Sequence, residues 1–160
     1  MAVMSSDFDP GERRLAKPPS DRYPAIDPEA ATVPSAAAGS LLRGVLYGAI
    51  AAFGGVLATI LLGGVMALSA GLLVVWASAG NAIGLATRIG SGLAVARSTR
   101  IGIAAGLALT GAALGQLGLW WYAGTEGGVL PLLSYLGETF GILVPLQALL
   151  AVGFAWWAAR

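Results

Sequence analysis

Residues 44–87 read GVLYGAIAAFGGVLATILLGGVMALSAGLLVVWASAGNAIGLAT, 44 positions without a charge between Arg43 and Arg88. A helix that crosses the hydrocarbon core of a bilayer needs about 20 such residues, so the run holds two crossings. Drawn as one helix it would be about 66 Å long at 1.5 Å per residue, far more than tilt absorbs in a core of about 30 Å. The pattern therefore predicts a hairpin with spans at roughly 42–65 and 68–87. Its turn falls between Gly63-Gly64-Val65-Met66 and Ser69-Ala70-Gly71.

Working outward, Ile101 to Ala123 predicts a third span, closed by Gly124-Thr125-Glu126-Gly127-Gly128 as a short exposed turn. Residues 129–137 are too few to cross and either lie along the interface or begin the last helix. The fourth span is expected over 138–157, with a kink at Pro145, where neighbouring helices must satisfy the freed carbonyl. The expected fold is all-α: an integral membrane bundle of four transmembrane helices over residues 41–160. Composition agrees, since 57% of the 160 residues are hydrophobic and 11% charged, against about 25% charged in soluble domains.

Residues 1–40 differ in kind, with six of the eight prolines and ten charges, six of them acidic. Such a segment buries no core and is expected to be a disordered cytoplasmic tail. Its mixed charge carries no nucleic-acid signature, and with no apolar run before Leu41 a cleaved secretory signal is not expected. Cysteine and histidine are absent from the chain. Disulfides, thiolate chemistry and imidazole metal ligation or acid–base catalysis go with them.

Lysine and arginine placement sets orientation. Arg43, Arg88, Arg97, Arg100 and Arg160 all fall on one side of the four spans, and the opposite loops hold no basic residue. Both termini and the 88–100 loop are thus expected in the cytoplasm. Trp120, Trp121, Tyr122 and Tyr135 would mark the outer interface, and Tyr47, Trp156 and Trp157 the inner one.

Lipid supplies no hydrophobic drive between helices, so contact relies on close packing of small residues. Spacings of four recur at Gly44 and Gly48, at Ala51, Gly55, Thr59 and Gly63, at Gly80 and Gly84, and in the third span at Gly102, Gly106 and Thr110, then Gly111 and Gly115. The third span is the strongest candidate contact surface, serving either packing within the chain or a homo-oligomer or partner helix.

Chemistry-bearing residues are few. Glu138 is the one ionisable group at membrane depth, and there it either opposes the macrodipole of the fourth helix or serves a site. Gln116 is its nearest polar neighbour by depth, so Glu138 and Gln116 form the candidate polar site. Asn81, Gln116 and Gln147 are expected at different depths, as separate interhelical hydrogen bonds. Arg88, Arg97 and Arg100 surround Gly90-Ser91-Gly92 without a nucleotide-loop pattern. They are read as topology determinants and possible contacts for anionic lipid headgroups. No catalytic, cofactor or metal constellation is identified.

The segments Gly80-NAIGLATRIGS-Gly92 and Gly128-VLPLLSYLGETFGILVPL-Gln147, with Ala155-Trp156-Trp157, resemble uncharacterised small bacterial membrane proteins of about four spans. The resemblance covers about the last 120 residues. It implies a bacterial inner-membrane location and carries over no activity or functional residue. The expected role is a non-enzymatic accessory or scaffold subunit, the alternative an oligomeric transporter or channel component for a small solute or ion. The orientation makes a direct prediction: reporters fused within the 124–128 turn are active only in the extracytoplasmic compartment. A cytoplasmic signal there would overturn the topology.

Overall fold

The computed structural model describes residues 39–127 and 130–160. The expected tail, up to residue 38, lies outside the described residues. Helix α1 spans Leu41–Thr59 and continues as a π-helical segment, Ile60–Val65. Helix α2 spans Gly71–Ser91 and α3 Arg97–Thr125. A short helix α4, Leu132–Tyr135, runs into a π-helical turn, Leu136–Phe140, and α5 spans Leu143–Ala158. Three helices are long and apolar enough to cross a membrane, or up to four if the bent α4–α5 pair makes one span. The protein is thus a multi-pass helical membrane protein.

The hairpin between α1 and α2 forms as the uncharged run predicts. Ser40 caps α1 by accepting the Arg43 N–H at 3.2 Å, while its own N–H donates to Gly90 O at 3.2 Å. The cap therefore ties the start of α1 to the end of α2. At the other end the ladder loosens to a π pattern, in which Met66 N–H donates to Leu61 O at 3.1 Å. The chain then reverses through Ala67, whose φ of 53° is left-handed. Helix α2 starts three residues later than expected and runs past Arg88 to Ser91. Gly92 ends it at φ 55° and ψ −147°, a conformation open to glycine alone.

The last span departs most from expectation. Instead of one helix over 138–157 kinked at Pro145, the chain bends by 87° between Phe140 and Leu143. Gly141 makes the bend at φ 50° and ψ −122°. Pro145 falls in the first turn of α5, where its missing N–H costs nothing because that turn has no intrahelical acceptor. The helix begins just ahead of the proline rather than bending around it.

Helix α2 packs against α1 and α5, α3 packs against the same two, and α2 and α3 also touch. The core between them is mostly alanine, including Ala104, Ala108, Ala151 and Ala155 with no exposure. Large apolar side chains point outward instead: Leu42, Ile50, Phe53, Val74 and Leu149 are all exposed. This distribution suits a chain whose solvent is lipid. Leu72, Ile83 and Leu119 are buried, and so is Trp76, the largest, in a slot where Gly55, Gly111 and Gly115 stand in place of larger residues. The hydroxyls of Thr59 and Ser91 donate to carbonyls one turn back, at Gly55 and Thr87, leaving less polarity to hide.

Glycines at helix contacts fall into two groups. A Cβ at Gly80 would collide with the Ala151 carbonyl, and one at Gly84 with the Ala155 carbonyl and, at 2.8 Å, with Ala158 Cβ. At Gly90 it would lie 2.6 Å from Arg43 O. These positions bring backbone against backbone. Gly111 and Gly115 face Trp76, whereas Gly102 and Gly106 have nothing within 4 Å of a Cβ. The third span is therefore split: its C-terminal seam packs inside the chain and its N-terminal seam faces away from it.

One substitution should thus have opposite effects at two sites. Gly80→Ala is expected to destabilise the protein by roughly 1–3 kcal/mol, because backbone cannot move aside. Gly106→Ala is expected to stabilise it by up to about 1 kcal/mol through helix propensity. Unfolding in detergent measures both, and equal effects would contradict the two-group assignment.

Candidate polar site between α3 and α5

Helix α3 carries Gln116 on the face that meets α5, about three turns beyond the buried Ala104 and two beyond Ala108. Helix α5 carries Gln147 one turn from its start. The Gln116 Nε2 donates to Gln147 Oε1 at 2.6 Å, with both side chains more than nine-tenths buried. The pair is only half satisfied. Gln116 Oε1 and Gln147 Nε2 are buried without a partner in the protein. A reciprocal amide pair would satisfy both; the single bond leaves a carbonyl acceptor and an NH2 donor free.

Beside the amides lies a cavity of about 140 Å³, walled by Leu109, Ala112, Ala113, Val144 and Ala148 together with Gln116 and Gln147. Apart from the amides its walls are apolar. No charged side chain lines it.

The amides meet because α5 begins at Leu143. Measured in a helix starting at residue 138, Gln147 falls near mid-membrane and Gln116 in the outer third, so the sequence places them at different depths. The break at Gly141 moves Gln147 to within one turn of the helix end, level with Gln116. The third amide, Asn81, is exposed on α2 and does not join them. The signal in the sequence was the combination of Gly141 and Pro145, which together favour a helix start over a kink.

The expected Glu138–Gln116 pairing is not what forms. Glu138 is exposed on the π-helical turn and makes no hydrogen bond among the described residues, whereas Gln116 is bonded to Gln147. Arg88 and Arg97 are exposed. Arg100 is buried: its Nε donates to Ala159 O at 2.8 Å, Nη1 to Gly92 O at 3.2 Å and Nη2 to Arg160 O at 3.2 Å. Its fork joins the end of α2 to the end of α5 and satisfies carbonyls that helix termini leave open. Those donors are turned toward the protein rather than toward a headgroup.

Ring stacking marks the same end. Arg160 lies 3.3 Å from the centroid of Trp156, and Arg43 sits 5.8 Å from that of Tyr47. At the opposite end Trp120 Nε1 donates to Leu130 O at 3.0 Å, and Tyr135 meets Phe140 edge to face at 5.8 Å. Aromatic groups thus flank the bundle at both ends.

The half-satisfied pair predicts non-additivity. Gln116→Leu alone leaves Gln147 buried with no partner and should cost about 1–2 kcal/mol, while the double change with Gln147→Leu should recover most of that loss. Unfolding of the four proteins in detergent gives the coupling; strict additivity would mean that the amides do not interact. No protein-family model, curated protein or solved structure matches this chain.

Proposed function

We propose that the chain is a non-enzymatic accessory or scaffold subunit of a bacterial inner-membrane assembly, with four spans and both termini in the cytoplasm. The observation that carries this reading is the outward seam of α3. A Cβ at Gly102 or Gly106 would meet nothing within 4 Å among the described residues, and Thr110 continues their line as an exposed residue. A glycine inside a helix costs about 1 kcal/mol relative to alanine, and no contact within this bundle accounts for that cost at these two positions. A partner helix packed closely on the seam accounts for it.

The groove between α1 and α2 supports the same role. It is lined by small residues, among them Gly54, Ala58, Ser78 and Ala82, and it is open on the outside of the bundle. Exposed Arg88 and Arg97 are placed to hold anionic lipid headgroups at the cytoplasmic face, each worth about 1 kcal/mol. The alternative, an oligomeric transporter or channel component, draws on the buried amide pair and its cavity.

Gly106→Leu separates the two. Purified from native membranes in mild detergent, the wild type is expected to carry a stoichiometric partner of different sequence. Gly106→Leu should lose that partner while its own unfolding transition stays in place. A homo-oligomer that conducts solute in liposomes would favour the transporter, and unchanged association of the variant would remove the seam from the argument.

A further inference from the structure

The outer face of α2 carries a group that lipid does not satisfy. Asn81 is the middle residue of the 21 in Gly71–Ser91, about 15 Å from either end of the helix at 1.5 Å per residue. In a hydrocarbon core of about 30 Å that is the centre of the bilayer. The residue is exposed on the surface of the bundle, and its side chain makes no hydrogen bond among the described residues. A carboxamide holds two N–H donors and a carbonyl acceptor, and acyl chains partner neither. We propose that this face of α2 is a homodimer interface, in which a second copy of the chain hydrogen-bonds its own Asn81 to the first across a two-fold axis normal to the membrane.

Depth and chemistry select the occupant. Two copies inserted the same way run their α2 helices parallel, so each residue meets its own equivalent at the same level. An amide is self-complementary: the carbonyl of one copy accepts from the NH2 of the other, and the axis repeats the bond in reverse. Headgroups and ions gather at the membrane surface, about 15 Å from this position. Gln116 and Gln147 are buried and bonded to each other, so the amide that a second copy presents to lipid is Asn81.

The surface around Asn81 fits such a contact. Val74, Ser78, Asn81 and Leu85 are all exposed and follow one another at intervals of four, three and four. That is the 3.5-residue repeat that keeps one line of a helix against a parallel neighbour in a left-handed pair. Beside this line α1 and α2 leave an open groove lined by Gly54, Ala58, Ser78 and Ala82 among others, small residues that let a second α2 come close. Toward the end of α2 the line reaches Arg88, which is exposed. There the two guanidiniums turn aside on their long side chains into headgroups and water. The pairing uses no residue of the α3 seam and does not rest on the accessory-subunit reading.

The chain has no cysteine, so single substitutions report contact without background. With the full chain in native membranes, oxidation by copper phenanthroline is expected to link Ser78→Cys and Leu85→Cys into dimers, both of which keep Asn81. Leu114→Cys, on the exposed face of α3, should stay monomeric. Asn81→Leu keeps an apolar body and removes the amide. In liposomes of diluted, fluorophore-labelled protein it should raise the dimer dissociation constant about tenfold, with the unfolding transition of the chain in detergent unchanged. Asn81→Gln retains donor and acceptor and is expected to stay within about threefold of the wild type. A wild type that is monomeric at every protein-to-lipid ratio would overturn the proposal, as would a dimer equally tight in Asn81→Leu. Links from Leu114→Cys and from neither α2 position would place the self-contact on α3 and overturn it too. Gly106→Leu separates this inference from the role of the α3 seam: the dimer must persist in that variant even where a partner of different sequence is lost.

Discussion

Close approach of α2 to its neighbours is the contact on which the rest of the bundle depends. In lipid, burying a leucine against another helix gains little over leaving it in the acyl chains, so cohesion comes from packing density and short backbone separations. Helix α2 achieves this along its second half, through Gly80 and Gly84 against α5 and Gly90 against α1. Where the backbones come this close only small side chains fit between them, which is why alanine predominates in the core around Trp76 and Ile83. Trp76 is the largest group inside, ahead of Leu72, Ile83 and Leu119, and its slot exists because Gly55, Gly111 and Gly115 carry no side chain.

Much of this architecture was legible along the chain because charge is scarce. The uncharged run between Arg43 and Arg88 defined the hairpin, and the five arginines of the helical region collect at one end of the bundle, among its helix termini. The packing faces were less legible. Spacing of four reports that small residues share a face of one helix, but not what that face meets. Gly106 and Gly111 are five residues apart and hence about 140° apart around α3. One seam looks inward and the other outward, although both have the same signature in sequence.

The amide pair was illegible for a more specific reason. Depth in a membrane helix is counted from its end, so an error in a helix start becomes an error in the level of every side chain on it. Pro145 by itself is compatible with a kink in a long helix or with the first turn of a short one. Gly141 decides between them, because its left-handed conformation interrupts the helix four residues earlier. Once α5 starts at Leu143, Gln147 and Gln116 share a level and their hydrogen bond follows. Glu138, the residue with the strongest chemical claim on sequence grounds, is left on the far side of the bend.

Some of the buried polar groups in the described part of this protein are fully satisfied and others are not. Arg100 could have reached for the interface, yet its three nitrogens are each given a carbonyl, at Gly92, Ala159 and Arg160. The hydroxyls of Thr59 and Ser91 are returned to their own helices. In the same bundle the two glutamines make one bond and leave a buried donor and a buried acceptor unpaired among the described residues. Trp76 Nε1 and Thr87 Oγ1 are likewise buried without a partner among the described residues, so unpaired polar groups are not confined to the amides. Simple stability between α3 and α5 would have been served by two leucines of similar volume. The polarity retained there is local and neutral, and its one hydrogen bond fixes the level at which α5 meets α3 across an otherwise apolar contact.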